Sequence, residues 1–191
     1  MKQLSSLTLM LLLVTTAATS APADGQDLIS QMQSGNAVLM IRHALAPGVG
    51  DPEGFILDDC STQRNLNQAG REQAKAIGQW LRSHNIQRVK IYSSQWCRCL
   101  ETARLMQMGE VTPLAALNSF FQRPEDREPN LSTLKTFMHE KTTPGELIIM
   151  VTHQVTISAI SGEWTDSGHA KLLRPTASGE MELLGELSFK D

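Results

Sequence analysis

The sequence predicts a three-layer α/β/α sandwich with a mostly parallel central sheet and a C-terminal hairpin. Three observations carry that expectation. Two uninterrupted apolar runs, Ala37-Val38-Leu39-Met40-Ile41 and Leu147-Ile148-Ile149-Met150-Val151, read as strands buried on both faces. Between and after them, strand-like runs alternate with stretches whose apolar residues recur at helical spacing, the pattern of parallel crossovers. The chain then closes with two segments, 170–174 and 181–189, joined across Ser178-Gly179, which read as an antiparallel hairpin.

The first two dozen residues stand apart. Lys2 gives a positive start, Leu7 to Val14 an apolar stretch too short to span a bilayer, and Ala21-Pro22-Ala23 a small-x-small exit. Residues 1–23 read as a secretory signal peptide, with Ala18-Thr19-Ser20 as an alternative cut and an uncleaved anchor as the competing reading; cleavage places the mature protein in the periplasm without stable membrane insertion. Residues 24–191 then form one domain: the length suits a single core, and no linker or repeat divides it. Removing Lys2 leaves sixteen basic residues against twenty acidic ones, a charge near −4. The basic residues form no block or stripe, which excludes nucleic acid and anionic membrane surfaces as expected partners.

Asp27 to Ser34 reads as a short helix closed by Gly35, and the first buried strand follows, ending at Arg42-His43. Residues 44–65 lack periodicity and form a long loop of the kind that usually serves function. Leu66 through Leu81 read as an amphipathic helix ending near His84-Asn85, and Val89 to Tyr92 as a second strand. Ser93-Ser94 suit the cap of a third helix with Arg98 in its first turn. A short strand at 111–114, an irregular stretch at 117–130 and a helix from about Ser132 to Glu140 lead into the second apolar run. That run ends at Thr152-His153, and a short helix through Ile157 and Ile160 stops at Gly162.

Two histidines at the carboxyl ends of buried strands fall where open α/β sheets bind ligands. A neutral imidazole accepts a phosphoryl group on one ring nitrogen when a hydrogen bond holds the other. Phosphoryl oxygens in turn call for rigid, permanently charged donors, and Arg42 and Arg98 supply guanidinium forks. His43, Arg42, Arg98 and His153 are therefore the candidate site for phosphoryl chemistry. Arg64 and Asn65, in the loop facing His43, are candidate substrate contacts. The pattern calls for no cofactor and no metal; Cys97-Arg98-Cys99 lacks zinc-knuckle spacing and sets a cation between the sulfurs. His84, His139 and His169 fall at element ends or on polar faces. Three cysteines allow either one disulfide, from Cys60 to Cys97 or to Cys99, or three buried thiols.

The residues also resemble the histidine phosphatase superfamily, or phosphoglycerate mutase-like family. Arg42-His43-Ala44 resembles its opening signature, and Leu66-Asn67-Gln68-Ala69-Gly70-Arg71-Glu72-Gln73-Ala74 its following helix, with Asn67 in place of a threonine. Ser93-Ser94, Arg98 and Thr102-Ala103 resemble its second block, and Val151-Thr152-His153 its last. The resemblance implies the phosphoglycerate mutase-like fold, with His43 as nucleophile and Arg42, Arg98 and His153 binding the phosphoryl group. It implies a phosphohistidine-forming phosphomonoesterase acting on a phosphorylated small molecule or glycan. Asp59-Cys60-Ser61, Cys97-Arg98-Cys99 and Leu117-Asn118-Ser119-Phe120-Phe121 are similar to an exported bacterial subgroup that includes lipopolysaccharide core heptose phosphatases, which implies phosphorylated envelope sugars as substrates. Competing readings are a catalytically silent phosphate-binding module and a phosphomutase.

One departure stands out. Family members that cleave alkyl phosphates carry a carboxylic acid just after the third strand, where Leu117-Asn118-Ser119 has none. Glu125, Asp126 and Glu128, a few residues later, are the candidate general acids. Without an acid, substrates with good leaving groups are expected: aryl phosphates, anhydrides or phosphohistidine.

Overall fold

The computed structural model describes residues 25–189, so the signal-peptide reading of 1–23 lies outside the described residues. No helix among the described residues is long and apolar enough to cross a membrane. The elements run α1 (Gly25–Ser34), β1 (Ala37–Arg42), α2 (Gln68–Ser83), β2 (Val89–Ser93), α3 (Cys97–Leu105), β3 (Val111–Pro113), α4 (Arg127–Lys141), β4 (Leu147–Thr152), α5 (Gln154–Ser161), β5 (Ala170–Pro175) and β6 (Met181–Leu187).

They build one six-stranded sheet in the order β3-β2-β4-β1-β5-β6. The first four strands are mutually parallel, and β5 and β6 add the expected antiparallel hairpin. Both faces of β1 and β4 are buried because helices cover both. Leu39, Ile41, Ile149 and Val151 pack with Leu28 and Met32 of α1, Ile77 and Leu81 of α2 and Ala103 of α3. The alternate set, Val38, Met40, Ile148 and Met150, packs with Leu134 and Met138 of α4 and Ile157 of α5. Each such aliphatic side chain contributes roughly 1.5–3 kcal/mol of burial, which makes this strand pair the rigid centre of the domain.

Two local expectations are corrected. The stretch 117–130 is not irregular throughout: 3-10 turns occupy Ala115–Leu117 and Pro124–Asp126, and α4 begins at Arg127 rather than near Ser132. Pro129 falls in the first turn of α4, where its missing N–H has no helical partner to lose. Ser93-Ser94 also do not cap α3 as expected; Trp96 stands at the N-cap without a side-chain cap bond. The cysteines resolve to a Cys60–Cys97 disulfide, with Cys99 free and buried.

The start of α2 has a positional task that explains its motif. Asn67 caps the helix by accepting from the Gly70 N–H at 2.8 Å. Its own N–H donates to the Leu45 carbonyl at 3.3 Å, and Gln73 Oε1 accepts from the Leu45 N–H at 2.9 Å. A Cβ at position 70 would lie 2.1 Å from the Leu45 oxygen, so only glycine lets the helix approach. α2 thus clamps the turn two residues beyond His43.

In an open helix interior, Gly→Ala gains about 1 kcal/mol. Here Gly70→Ala is expected to lower stability by about 1–3 kcal/mol through overpacking, read as a lower urea midpoint. An unchanged or raised midpoint would show that the Leu45 turn yields freely.

Candidate active site

Parallel pairing of β1 with β4 aligns Ile41 with Val151 and Arg42 with Thr152, so the next residue of each strand is a histidine. The His43 N–H donates to the Thr152 carbonyl at 2.9 Å, and the two imidazoles meet edge to face with centroids 5.6 Å apart. His43 Nδ1 lies 2.8 Å from the Ala44 carbonyl, a contact that requires the proton on Nδ1 and leaves the Nε2 lone pair free. Ala44 is itself fixed, because its N–H donates to Thr102 Oγ1 at 3.0 Å. Burial first, then the nearby Arg98 cation, pushes His43 down from 6.5 to about 3. The ring is therefore neutral and oriented across the ordinary pH range, with the Nε2 lone pair available for nucleophilic attack.

His153 is held differently. Arg98 Nη2 donates to its Nδ1 at 3.3 Å, which assigns the proton to Nε2, and Nε2 in turn donates to Ser94 Oγ at 2.9 Å. The Ser94 hydroxyl donates to Asn118 Oδ1 at 3.2 Å. Burial, and then Arg98, holds His153 well below the ordinary imidazole range, so it too is neutral.

Three guanidinium groups meet these rings. Arg98, in the first turn of α3, pairs with Asp51 at 2.8 Å, and both side chains are only 3% exposed. Arg42 donates through Nη1 to the Thr165 carbonyl at 2.9 Å, and its guanidinium stands 5.6 Å over the Trp164 ring. Arg64 donates through Nε to the Gly50 carbonyl at 2.7 Å and through Nη1 to the Ala46 carbonyl. Burial lowers both Arg42 and Arg64 from their ordinary value, and repulsion from Arg98 adds to it. The Nε of Arg42 and the Nε of Arg98 are buried with no hydrogen-bond partner. Three cations against one buried carboxylate, with two donors left over, make a cradle for a doubly charged anion.

His43, Arg42, Arg64, Arg98 and His153 line one cavity of about 170 Å³ with Asp51, Gln122, Gln154 and Trp164. Among the described residues no three His, Cys, Asp or Glu side chains are grouped to hold a metal ion.

Asn65 is not in that lining, contrary to expectation. Its Nδ2 donates to the carbonyls of Cys60, at 2.6 Å, and Gln63, at 3.1 Å, so it pins the loop internally. Glu125, Asp126 and Glu128 are likewise outside the cavity. Glu125 and Glu128 are exposed, and Glu128 pairs with Arg127, so the expectation of a general acid among the three is not met by their placement. Asp51, Ser94 and Asn118 are the site residues that sequence reasoning missed. Asp51 sits between Gly50 and Pro52 in an aperiodic loop, and its one available signal was a carboxylate inside a loop starting at a candidate nucleophile.

Residues 38–120 match the histidine phosphatase superfamily (branch 1). Among solved structures, the chain is similar to a mutant phosphoserine phosphatase from Entamoeba histolytica in complex with phosphoserine, with 15% identity, 81% of this chain and 98% of that one covered, and a TM-score of 0.58. It is also similar to the protein histidine phosphatase SixA complexed with tungstate, at 15% identity, 80% and 97% coverage and a TM-score of 0.55. The alpha-ribazole phosphatase from Shigella flexneri aligns at 15% identity, 77% and 94% coverage and a TM-score of 0.52. No protein of curated function matches the sequence.

The lowered histidines predict acid sensitivity. A folded-state value below the unfolded 6.5 means that the contribution is fully present above 6.5 and is lost as pH falls toward about 3. His43→Asn is expected to flatten the loss of stability between about pH 6.5 and 5 by an amount rising from about 0.7 to about 1.4 kcal/mol per pH unit, measured by urea unfolding at each pH. An identical slope in the variant would mean that His43 titrates normally when folded.

Proposed function

We propose that the chain, whose residues 38–120 match the histidine phosphatase superfamily, is a phosphomonoesterase of that kind working through a phosphohistidine on His43. The observation that carries this reading is the His43 ring: neutral, fixed through Nδ1, with Nε2 free beside three guanidinium groups. Nε2 attacks phosphorus, the P–O bond to the leaving group breaks, and the leaving oxygen departs with the bonding pair. Water then attacks the phosphohistidine, the N–P bond breaks, and inorganic phosphate leaves with imidazole restored. Arg42, Arg64 and Arg98 hold the peripheral oxygens, and positioning with charge stabilisation is most of what phosphoryl transfer requires.

The reading extends to an exported enzyme acting on phosphorylated envelope sugars, without a metal. Support for export comes from the signal-like residues 1–23 and from the Cys60–Cys97 disulfide, a bond that persists in oxidising compartments. Support for a ring-bearing substrate comes from the cavity mouth, where Trp164 and Phe121 are 63% and 57% exposed. Leaving-group chemistry narrows the class. Among the described residues the one carboxylate lining the cavity, Asp51, accepts from Arg98, Trp96 and the Arg64 N–H, so it does not stand ready as an acid for the leaving oxygen. Among envelope phosphates this favours the anhydride of a sugar diphosphate, whose leaving group needs less help, over a simple alkyl ester of a sugar hydroxyl, as it favours aryl esters and phosphohistidine.

The residues 24–191 in EDTA are expected to hydrolyse p-nitrophenyl phosphate faster than an alkyl phosphate, with activity lost in His43→Ala. Arg98→Ala is expected to lower kcat/KM by about 10²–10³-fold. Alanine at Glu125, Asp126 or Glu128 should leave both substrates within about twofold, as for exposed sites outside the cavity. Equal activity in wild type and His43→Ala would reject the phosphohistidine route. Phosphate binding without hydrolysis would instead identify a silent phosphate-binding module.

A further inference from the structure

Asp51 is a buried carboxylate in an anion-binding cavity, where its charge opposes the ligand, and the reading above gives it no task. Its surroundings are specific. Oδ1 accepts from Arg98 Nη1 at 2.8 Å and from the Arg64 N–H at 3.0 Å. Oδ2 accepts from the Trp96 indole N–H at 3.0 Å. The backbone is gripped as well: its N–H donates to Gln122 Oε1 at 2.7 Å, and its carbonyl accepts from Gln122 Nε2 at 3.1 Å. The loop carrying Asp51 is thereby tied to both sides of the cavity, and the Cys60–Cys97 disulfide joins the same loop to the residue before Arg98.

The consequence for Arg98 follows from its donor inventory. A guanidinium has five N–H groups in one plane. Nη1 points one to Asp51 and makes a longer contact, 3.4 Å, to the Arg64 carbonyl, while Nη2 gives one to His153. One Nη2 hydrogen and the Nε–H remain, and that Nε is buried without a partner. Arg42 repeats the pattern, with Nη1 on the Thr165 carbonyl and Nε unpartnered. In each arginine a fixed acceptor takes the Nη1 end.

We propose that Asp51 is a positioning residue that fixes the plane of Arg98, so that its unoccupied donors face the phosphoryl group and not solvent. The proposal rests on the phosphatase reading for its kinetic form, but not for its binding form. What positions Arg98 is the place of the acceptor atom. The negative charge works against anion binding, since like charges in a partly desolvated cavity repel.

Two substitutions in residues 24–191 separate place from charge. Asp51→Asn keeps an oxygen where Arg98 needs it and drops the charge, with its amide nitrogen turned to the Trp96 indole N–H, a lost hydrogen bond that lowers the urea midpoint and leaves the Arg98 contact in place; Asp51→Glu keeps the charge and moves the oxygen by one methylene. With p-nitrophenyl phosphate, the asparagine variant is expected to retain kcat within about fivefold, with a phosphate inhibition constant equal to wild type or lower, whereas the glutamate variant loses about thirtyfold or more in kcat. Urea midpoints confirm that both are folded, and calorimetric titration with inorganic phosphate repeats the comparison without turnover: asparagine at least as tight as wild type, glutamate weaker. The reverse order, equal losses in both, or wild-type constants in both would overturn the proposal. If the wild type binds phosphate without hydrolysing any ester, the phosphatase reading fails and the calorimetric order still decides Asp51. If the wild type binds no phosphate, the anion site falls and the proposal with it.

Discussion

The in-register parallel pairing of β1 with β4 is the constraint from which the rest of the site follows. A parallel pair has one relative offset that buries Val38, Met40, Ile148 and Met150 on one face and Leu39, Ile41, Ile149 and Val151 on the other. A slip of one residue in either strand would carry its side chains to the opposite face and mismatch them with their neighbours. The offset that satisfies the core ends both strands level, at Arg42 and Thr152, so His43 and His153 emerge side by side. Their proximity is a by-product of core packing, with the stiffness of a core.

Onto that pair the sequence adds charge from separate elements. Arg42 comes from the end of β1, Arg98 from the first turn of α3 behind β2, and Arg64 from the long loop. Bringing three cations together out of water is costly: burial first, and repulsion from Arg98 in addition, lowers Arg42 and Arg64. The fold offsets this with carbonyls of Ala46, Gly50, Arg64 and Thr165, with the buried carboxylate of Asp51 and, for Arg42, with the nearby charge of Asp166. The neutrality of both histidines has the same origin, because protonation would add a fourth or fifth positive charge to a desolvated cluster.

The fold was legible in the sequence because its signals were local and periodic: two apolar pentads, amphipathic spacing in α2, and a hairpin at the end. The convergence of His43, Arg42, Arg98 and His153 on one cavity was legible for a related reason, since the ends of β1 and β4 and the helix start after β2 fix where their side chains emerge. What sequence reading missed belongs to contacts distant in the chain. Asp51 meets Arg98 and Trp96 from 47 and 45 residues away, and Ser94 meets His153 from 59. Asn65 turns to the Cys60 and Gln63 carbonyls of its own loop, a direction that nearness in sequence to Arg64 does not tell. Glu125, Asp126 and Glu128 have the charge and the approximate position of a general acid, but they lie in a 3-10 turn and the start of α4 outside the cavity lining.

Asn118 shows what occupies the place where a proton donor was expected. Its Oδ1 accepts from the Ser94 hydroxyl and from the Gln95 N–H at 2.9 Å, and its Nδ2 donates to Gln95 Oε1 at 2.8 Å. A carboxylic acid there would have to keep its proton against the Gln95 N–H, which prefers an ionised acceptor, and a carboxylate would bring a negative charge to a pocket proposed to hold phosphate. An amide avoids both difficulties and still completes the chain Asn118–Ser94–His153–Arg98, which fixes the second histidine and through it one end of the arginine. The site thus has rigidity where an acid–base enzyme would have a titrating group. That trade suits a reaction whose leaving group departs unaided, since such a reaction gains most from oxygens held in place and least from a proton.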